Sequence, residues 1–112
     1  MEQRLVKLVQ KYGERVMKFA DVKMLPMSEP YINGTQAILD FGTHQLSIVK
    51  HDHSYGGTQG KFEIGVFEGG NMVEMPGITA PGDTVKGFLA DYEVDAIIIK
   101  MIAATGKDPV QV

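Results

Sequence analysis

QAILDFGTHQLSIVK, residues 36–50, carries the clearest strand pattern in the chain. Its two halves, Gln36–Phe41 and His44–Lys50, alternate apolar with polar side chains, as strands buried on one face do. The apolar positions of this alternation are Ala37, Leu39, Phe41, Leu46 and Ile48. Gly42-Thr43 leaves room only for a tight turn, and strands joined by a tight turn run antiparallel. The stretch therefore predicts a β-hairpin.

A second hairpin is predicted downstream. Phe62–Glu68 alternates in the same way as the first two strands. Gly69-Gly70 follows as a two-residue turn, because glycine tolerates the positive φ that such turns need. Asn71–Met75 then forms the last strand. Together with a short alternating segment at Arg15–Phe19, these segments predict an antiparallel meander of four or five strands.

Helices are predicted at both ends of the chain. The apolar side chains of Glu2–Tyr12 recur at helical spacing, and Gly13 suits the left-handed residue that follows a helix. A second helix is predicted from Ala90-Asp91 to about Thr105, with acidic residues in its first turns, where the helix dipole favours them. Before it, Asp83 is predicted to cap a short helical turn over Thr84–Leu89.

These elements predict a single α+β domain over residues 1–112, with the N- and C-terminal helices packed on one face of the sheet. The predicted core follows from the apolar positions of the strands and helices. Its members are Leu8, Leu39, Ile48, Ile64, Val66, Phe88, Val94, Ile98 and Met101.

Composition narrows the classes of function. The chain has no cysteine, which excludes disulfides, thiolate metal sites and a cysteine nucleophile. A net charge of −3, with no aromatic residue between the basic side chains Arg4, Lys7 and Lys11, does not favour nucleic-acid binding. The longest apolar run, Ala96–Ile99, is too short to cross a membrane. With no signal-peptide pattern at the start, the sequence predicts a cytoplasmic protein.

One cluster carries ligand chemistry. Imidazole and carboxylate groups are proper ligands for zinc, and His51-Asp52-His53 holds three of them in a row. Two histidines are too few ligands for a metal site, and His44 would lie roughly 20 Å away along the same strand. A third ligand would have to come from elsewhere, with Asp40 and Glu74 as the candidates. We therefore predict that the cluster binds no metal and that the protein uses no cofactor. The candidate ligand-binding residues are His51, Asp52, His53 and Tyr55, the last of them packed over the glycines of a wide hairpin loop.

A second candidate surface lies in the irregular stretch before the first hairpin. Pro26 and Pro30 keep this stretch out of helices and central strands, which places it at the surface. It is nevertheless strongly apolar, through Met24, Leu25, Met27, Tyr31 and Ile32. Exposed apolar patches mark partner sites, so this segment is the predicted partner-binding surface. The alternative is that it covers the edge of the protein's own core.

Five stretches of the chain resemble a known group of proteins. They are Ser47-Ile48-Val49-Lys50, Ser54-Tyr55-Gly56-Gly57, the strand Lys61–Phe67, the run Asp83-Thr84-Val85-Lys86-Gly87-Phe88-Leu89, and Glu93-Val94. In this pattern the chain resembles a group of small proteins encoded by bacteriophages and prophages. The resemblance implies a phage or prophage origin, with no assigned activity and no catalytic residue. Where that group has a threonine cap before the last helix, this chain has Ala90, which leaves Asp91 to cap the helix.

Two hypotheses about function follow. The first is a non-enzymatic protein-interaction module, encoded by a phage, that acts in the host cytoplasm on a host or phage protein, or on itself as a homo-oligomer. The second is a small metal-dependent enzyme that uses the His51-Asp52-His53 loop.

Overall fold

A computed structural model describes residues 17–27 and 32–112. Within these residues, seven strands form one antiparallel sheet. In chain order they are β1 (Leu25–Pro26), β2 (Gly34–Asp40), β3 (Gln45–His51), β4 (Phe62–Glu68), β5 (Asn71–Met72), β6 (Val85–Leu89) and β7 (Val110–Gln111). The helix α1 spans Asp91–Thr105, and short 3-10 turns occupy Phe19–Asp21 and Gly57–Gln59. None of the described helices is long and apolar enough to span a membrane.

Three long strands, β2, β3 and β4, form the centre of the sheet, and short strands border them on both sides. On the outer side of β2, β1 pairs with its beginning and β7 with its end. On the outer side of β4, β5 pairs only with Phe67 and Glu68. The first part of β4 is thereby left for β6, which returns after a long loop. The predicted hairpins are confirmed, and β1 to β5 follow one another in the order of a meander. The predicted number of four or five strands is too low, because β6 and β7 pair as second neighbours of β4 and β2.

One face of the sheet forms the core. The register places Leu39 opposite Leu46, and Leu46 in turn opposite Val66, so that the apolar positions of the three central strands share a face. The buried stripe of α1 belongs to the same apolar cluster. That stripe consists of Val94, Ile97, Ile98, Met101 and Ile102. Burying each such side chain contributes about 1.5–3 kcal/mol, so this cluster is the main stabilising feature of the described fold.

The last helix is confirmed over Asp91–Thr105, but its predicted cap is wrong. Ala90, not Asp91, occupies the capping position, and an alanine side chain has no acceptor to offer. The Glu93 carboxylate instead accepts a hydrogen bond from the Ala90 N–H at 3.0 Å. This is the second half of a capping box, formed without the first. Gly106, at φ 73°, ends the helix in the left-handed conformation that glycine favours at this position.

Two further element predictions are wrong. Thr84–Leu89 does not form a helical turn, because its residues from Val85 onward pair with the free part of β4 as strand β6. A six-residue helix would have been marginal by itself, while the unpaired side of β4 offers a full set of backbone partners. The predicted strand at Arg15–Phe19 is not seen in its described part, where Phe19 begins a 3-10 turn. There the Phe19 N–H donates to the Asp95 carboxylate of α1.

The predicted core is confirmed at seven positions and wrong at one. The confirmed residues, all fully buried, are Leu39, Ile48, Ile64, Val66, Val94, Ile98 and Met101. Phe88 is half-exposed instead, because the strand turns its side chain outward. Leu8 and the predicted helix Glu2–Tyr12 lie outside the described residues.

Candidate ligand-binding cleft

A cleft of about 460 Å³ opens beside β6. It is lined by Tyr55, by the loop segment Gly77–Ala80, by Asp83 and by the strand segment Val85–Phe88. We call it the Tyr55–Phe88 cleft. Its volume falls in the range of small-molecule and peptide sites, and it combines apolar walls with a few polar groups, as such sites do.

Two aromatic side chains stand exposed in this cleft. Tyr55 is 60% exposed and Phe88 is 52% exposed. The backbone joins them directly, because the Phe88 N–H donates to the Tyr55 carbonyl at 3.0 Å. Large exposed aromatic groups held on a fixed backbone are the usual anchors of protein interfaces.

The backbone at Phe88 is strained. The ladder pairs Phe62 with Leu89 and Ile64 with Lys86, so that Glu63 of β4 lies opposite two residues of β6, which is a β-bulge. Phe88 in this bulge has φ 57°, and it is the one non-glycine residue with positive φ in the described part of the chain. For a bulky L-residue this conformation costs about 1–2 kcal/mol. Bulges of this kind redirect a side chain and often lie next to functional sites.

Two glycines let the Tyr55 loop and β6 approach each other closely. A Cβ at Gly87 would overlap the Cβ of Tyr55, and a Cβ at Gly56 would lie 2.9 Å from the Phe88 Cα. Neither position therefore accepts a side chain without movement of the backbone. The motifs Ser54–Gly57 and Asp83–Leu89, which are far apart in sequence, thus form one packed unit.

The loop on the cleft's border is fixed in place by three anchors. Ile78 is buried in the core cluster. The Thr79 hydroxyl accepts from the Met75 N–H at 2.9 Å and donates to the Met75 carbonyl at 3.4 Å. From α1, the Lys100 ammonium donates to the Gly77 carbonyl at 3.0 Å. This part of the cleft is consequently preformed, which lowers the entropy cost of binding.

Charged groups of both signs surround the aromatic pair. Asp83 and Lys86 line the cleft. The Glu63 carboxylate accepts from the Tyr55 N–H at 2.9 Å and so fixes the loop that carries the ring. The site therefore offers an anion and a cation beside apolar area, a mixture that suits a polar chain with apolar side chains better than a uniformly charged ligand.

Of the predicted ligand-binding residues, only Tyr55 lies in this cleft. His51 ends β3, and its Nδ1 accepts from the His53 N–H at 3.0 Å, with the two ring centroids 6.3 Å apart. Asp52 is exposed in the turn between them. Within residues 17–27 and 32–112, no group of three or more His, Cys, Asp or Glu side chains lies close enough together to hold a metal ion. That the loop binds no metal stays a prediction.

The predicted partner surface is divided by the structure. Met24 packs against the core, whereas Leu25 is half-exposed on strand β1. Leu25–Pro26 was predicted to be irregular, which is wrong, because proline is tolerated in a strand at the edge of a sheet. Met27 and Ile32 are partly buried, and the Met27 N–H donates to the Gly34 carbonyl at 3.0 Å. Tyr31 lies outside the described residues.

The sequence did contain a signal for the residues of the cleft that were missed. Phe88 and Lys86 both flank Gly87 in a motif that was interpreted as a helical turn. The same motif, with Tyr55-Gly56, pairs an aromatic residue with a glycine twice. A glycine next to an aromatic residue in two separate segments indicates close backbone approach.

Comparisons of the chain with models of protein families, with curated proteins and with solved structures found no match.

Proposed function

We propose that the chain is a non-enzymatic protein-interaction module, and that the Tyr55–Phe88 cleft binds an extended segment of a partner protein. The observation that carries the proposal is the exposed aromatic ring of Phe88 on a backbone of positive φ. Glycine would fit this conformation without strain and without leaving an apolar ring in water. The presence of phenylalanine at this strained position is explained if its exposed ring contacts a binding partner.

An extended peptide is the ligand that best suits the position of the cleft. Among the described strands β6 pairs only with β4, so it has one strand neighbour, and of its backbone groups the Phe88 N–H is already bonded to the Tyr55 carbonyl. Such an edge is a template for the backbone of an added strand. Main-chain hydrogen bonds then supply affinity, while side-chain pockets supply specificity. Here the pocket between Tyr55 and Ile78 would receive an apolar side chain of the peptide. Asp83 and Lys86, beside this pocket, would contact polar side chains of the peptide.

The origin of the partner follows from the resemblance alone. A phage-encoded module of this kind would act in the cytoplasm of the host, on a host or phage protein. We assign this module a binding role, because the residues that line the cleft do not place a nucleophile, a base and an orienting group in contact.

The experiment is a selection from a displayed library of random peptides with the full chain as bait. Peptides that are enriched are then titrated against the wild type and four variants. We expect Phe88→Gly and Tyr55→Ala each to weaken binding at least about tenfold, equivalent to about 1.4 kcal/mol. Tyr92→Ala, which removes a still more exposed ring on α1, and Leu25→Ala should leave the affinity unchanged.

The outcomes separate the two candidate surfaces. Loss of binding on Leu25→Ala with Phe88→Gly unaffected would move the site to Met24–Ile32 and overturn the assignment to the cleft. The absence of any enriched peptide, with the bait folded, would reject recognition of extended peptides.

A further inference from the structure

The sheet has a second face, opposite the core. The register aligns Leu25, Gln36 and Val49 across one row of this face, and Gln45, Phe67 and Met72 across another. Ile38, between these rows, pairs with Ser47, which in turn pairs with Gly65. We call these side chains together the open face. Since Ile38, Leu25 and Met72 are 37%, 50% and 47% exposed, no described element covers them.

The centre of the open face is apolar or neutral, with charge only at its ends. Asp40 and Glu63 lie at the ends of β2 and β4, and the positions between them carry no charge. A shallow hollow of about 240 Å³ lies at this centre, lined by Gln36, Ile38, Gln45, Ser47, Phe67 and Gly70. Depletion of charge at the centre and charge at the rim is the pattern of a protein interface.

The polar groups of the open face already bond to one another. The Gln36 amide donates to the Ser47 hydroxyl at 3.0 Å. The Gln45 amide donates to the Asp40 carboxylate at 3.1 Å. Burying polar groups is costly mainly when they lack a partner. A protein that covers this face therefore does not need to supply hydrogen-bond partners for these two amides.

We propose that a second copy of this chain covers the open face, sheet against sheet, in a two-fold symmetric dimer. Because each glutamine amide of this face already has a partner on the same face, the face can meet its own copy in the isologous contact of such a dimer. Its neutrality also matters, because two chains of net charge −3 repel each other unless the contact excludes like charges. Two antiparallel sheets pack in this way about 10 Å apart, with their side chains interdigitating.

The size of the face fits a stable dimer. Its three central strands have seven residues each, and short strands add one position on either side. At about 3.3 Å per residue and about 4.8 Å between strands, the face covers roughly 500–600 Å² in projection. Because side chains protrude from the sheet, the accessible area is larger than this projection and approaches the roughly 800 Å² per partner of a standard interface. The inference is independent of the proposed function, since the Tyr55–Phe88 cleft lies beside β6.

Analytical ultracentrifugation of the full chain over a wide range of concentration tests this inference. We expect a dimer for the wild type, and at least an about tenfold weaker dimer for Ile38→Lys, because the substitution buries a charge at the centre of the contact. The matched control is Ile99→Lys, the same substitution at a half-exposed position on α1, which should remain dimeric.

A second variant, Met72→Lys, keeps the test valid should Ile38→Lys fail to fold. Circular dichroism and thermal melting of each variant establish that the monomer is folded. A wild type that is monomeric at every concentration would overturn the inference. A dimer unaffected by both lysines on the open face would do so as well.

Discussion

The two edges of the sheet, β1 beside β2 and β6 beside β4, differ in a way that their composition does not reveal. Both carry exposed apolar side chains, Leu25 on β1 and Phe88 on β6. At β1 the backbone is an ordinary extended strand, and its neighbour Met24 packs into the core. At β6 the strand is bulged, Phe88 is strained, and a cleft with a fixed loop adjoins it.

Apolar composition alone is therefore a poor guide to a binding surface. Met24–Ile32 has the greater number of apolar residues, yet part of that area serves the protein's own core. The β6 edge has fewer, but they border a concave space and one is held in an unfavourable conformation. Concavity and strain, which depend on the register of distant strands, distinguish the two edges.

The largest effect is expected in the core that supports both edges. Ile98→Ala should lower the free energy of unfolding by about 2–5 kcal/mol, because a fully buried side chain leaves a cavity. Chemical denaturation measures the loss. The matched control is Ile99→Ala, one residue further along α1 and half-exposed, which should stay within about 0.5 kcal/mol of the wild type. Equal effects at the two positions would contradict the assigned orientation of α1.

The close packing of the Tyr55 loop on β6 predicts the next effect. Gly87→Ala should destabilise by about 1–3 kcal/mol, because the added methyl overlaps Tyr55 and forces the two segments apart. Gly65→Ala is the control, since its methyl would meet the end of the flexible Met72 side chain at 3.3 Å and Val85 at an ordinary contact distance of 3.5 Å. Thermal melting compares them. If Gly87→Ala is as mild as Gly65→Ala, the two segments are not locked together.

Glycine substitutions should act with opposite sign at the two edges. Phe88→Gly removes backbone strain of about 1–2 kcal/mol, which outweighs the roughly 0.5–1 kcal/mol of added chain entropy, so stability should be unchanged or higher. Leu25→Gly relieves no strain and should lower stability by about 0.5–1 kcal/mol. Denaturant midpoints for both variants decide the matter. A Phe88→Gly protein less stable than Leu25→Gly would remove the strain argument.

The smallest effect concerns the turn between β2 and β3. Hydrogen bonds from the Gln45 side chain and then from the Gly42 N–H, with a weaker attraction to Lys107, hold the pKa of Asp40 below its usual value. A carboxyl group whose pKa is lower in the folded than in the unfolded chain stabilises the fold at pH values above the unfolded-state pKa. This contribution is lost as the pH falls through the folded-state pKa. Asp40→Asn should therefore be slightly less stable than the wild type at neutral pH.

The pH profile provides the control for this prediction. The two stability curves should converge in acid, where Asp40 is protonated in the folded and unfolded chain alike. A constant difference at every pH would mean that the charge of Asp40 has no part in it.

Local patterns in the sequence were sufficient to predict much of the described fold. The alternation in Gln36–Lys50, the Gly69-Gly70 turn and the stripe of α1 each depend on neighbouring residues, and each was predicted correctly. Thr84–Leu89 was not, because its structure is decided by the free side of β4, about twenty residues earlier in the chain. A short apolar run is ambiguous between helix and strand until its partner is known.

The candidate site was predictable only in part, for the same reason. Tyr55 was singled out from the glycines that follow it, but Phe88 was assigned to the core because its apolar character was the only available cue. Its exposure depends on a bulge, and the bulge depends on the register between β4 and β6. No local pattern encodes that register.

The proposal that the Tyr55–Phe88 cleft binds an extended peptide is tested most directly by amide hydrogen exchange, with and without a peptide selected against the chain. Binding should slow exchange over Val85–Phe88 and in the Tyr55 loop, while Met24–Met27 at the other edge should exchange unchanged. Slower exchange at Met24–Met27, with Val85–Phe88 unaffected, would contradict the proposal and place the binding surface at β1.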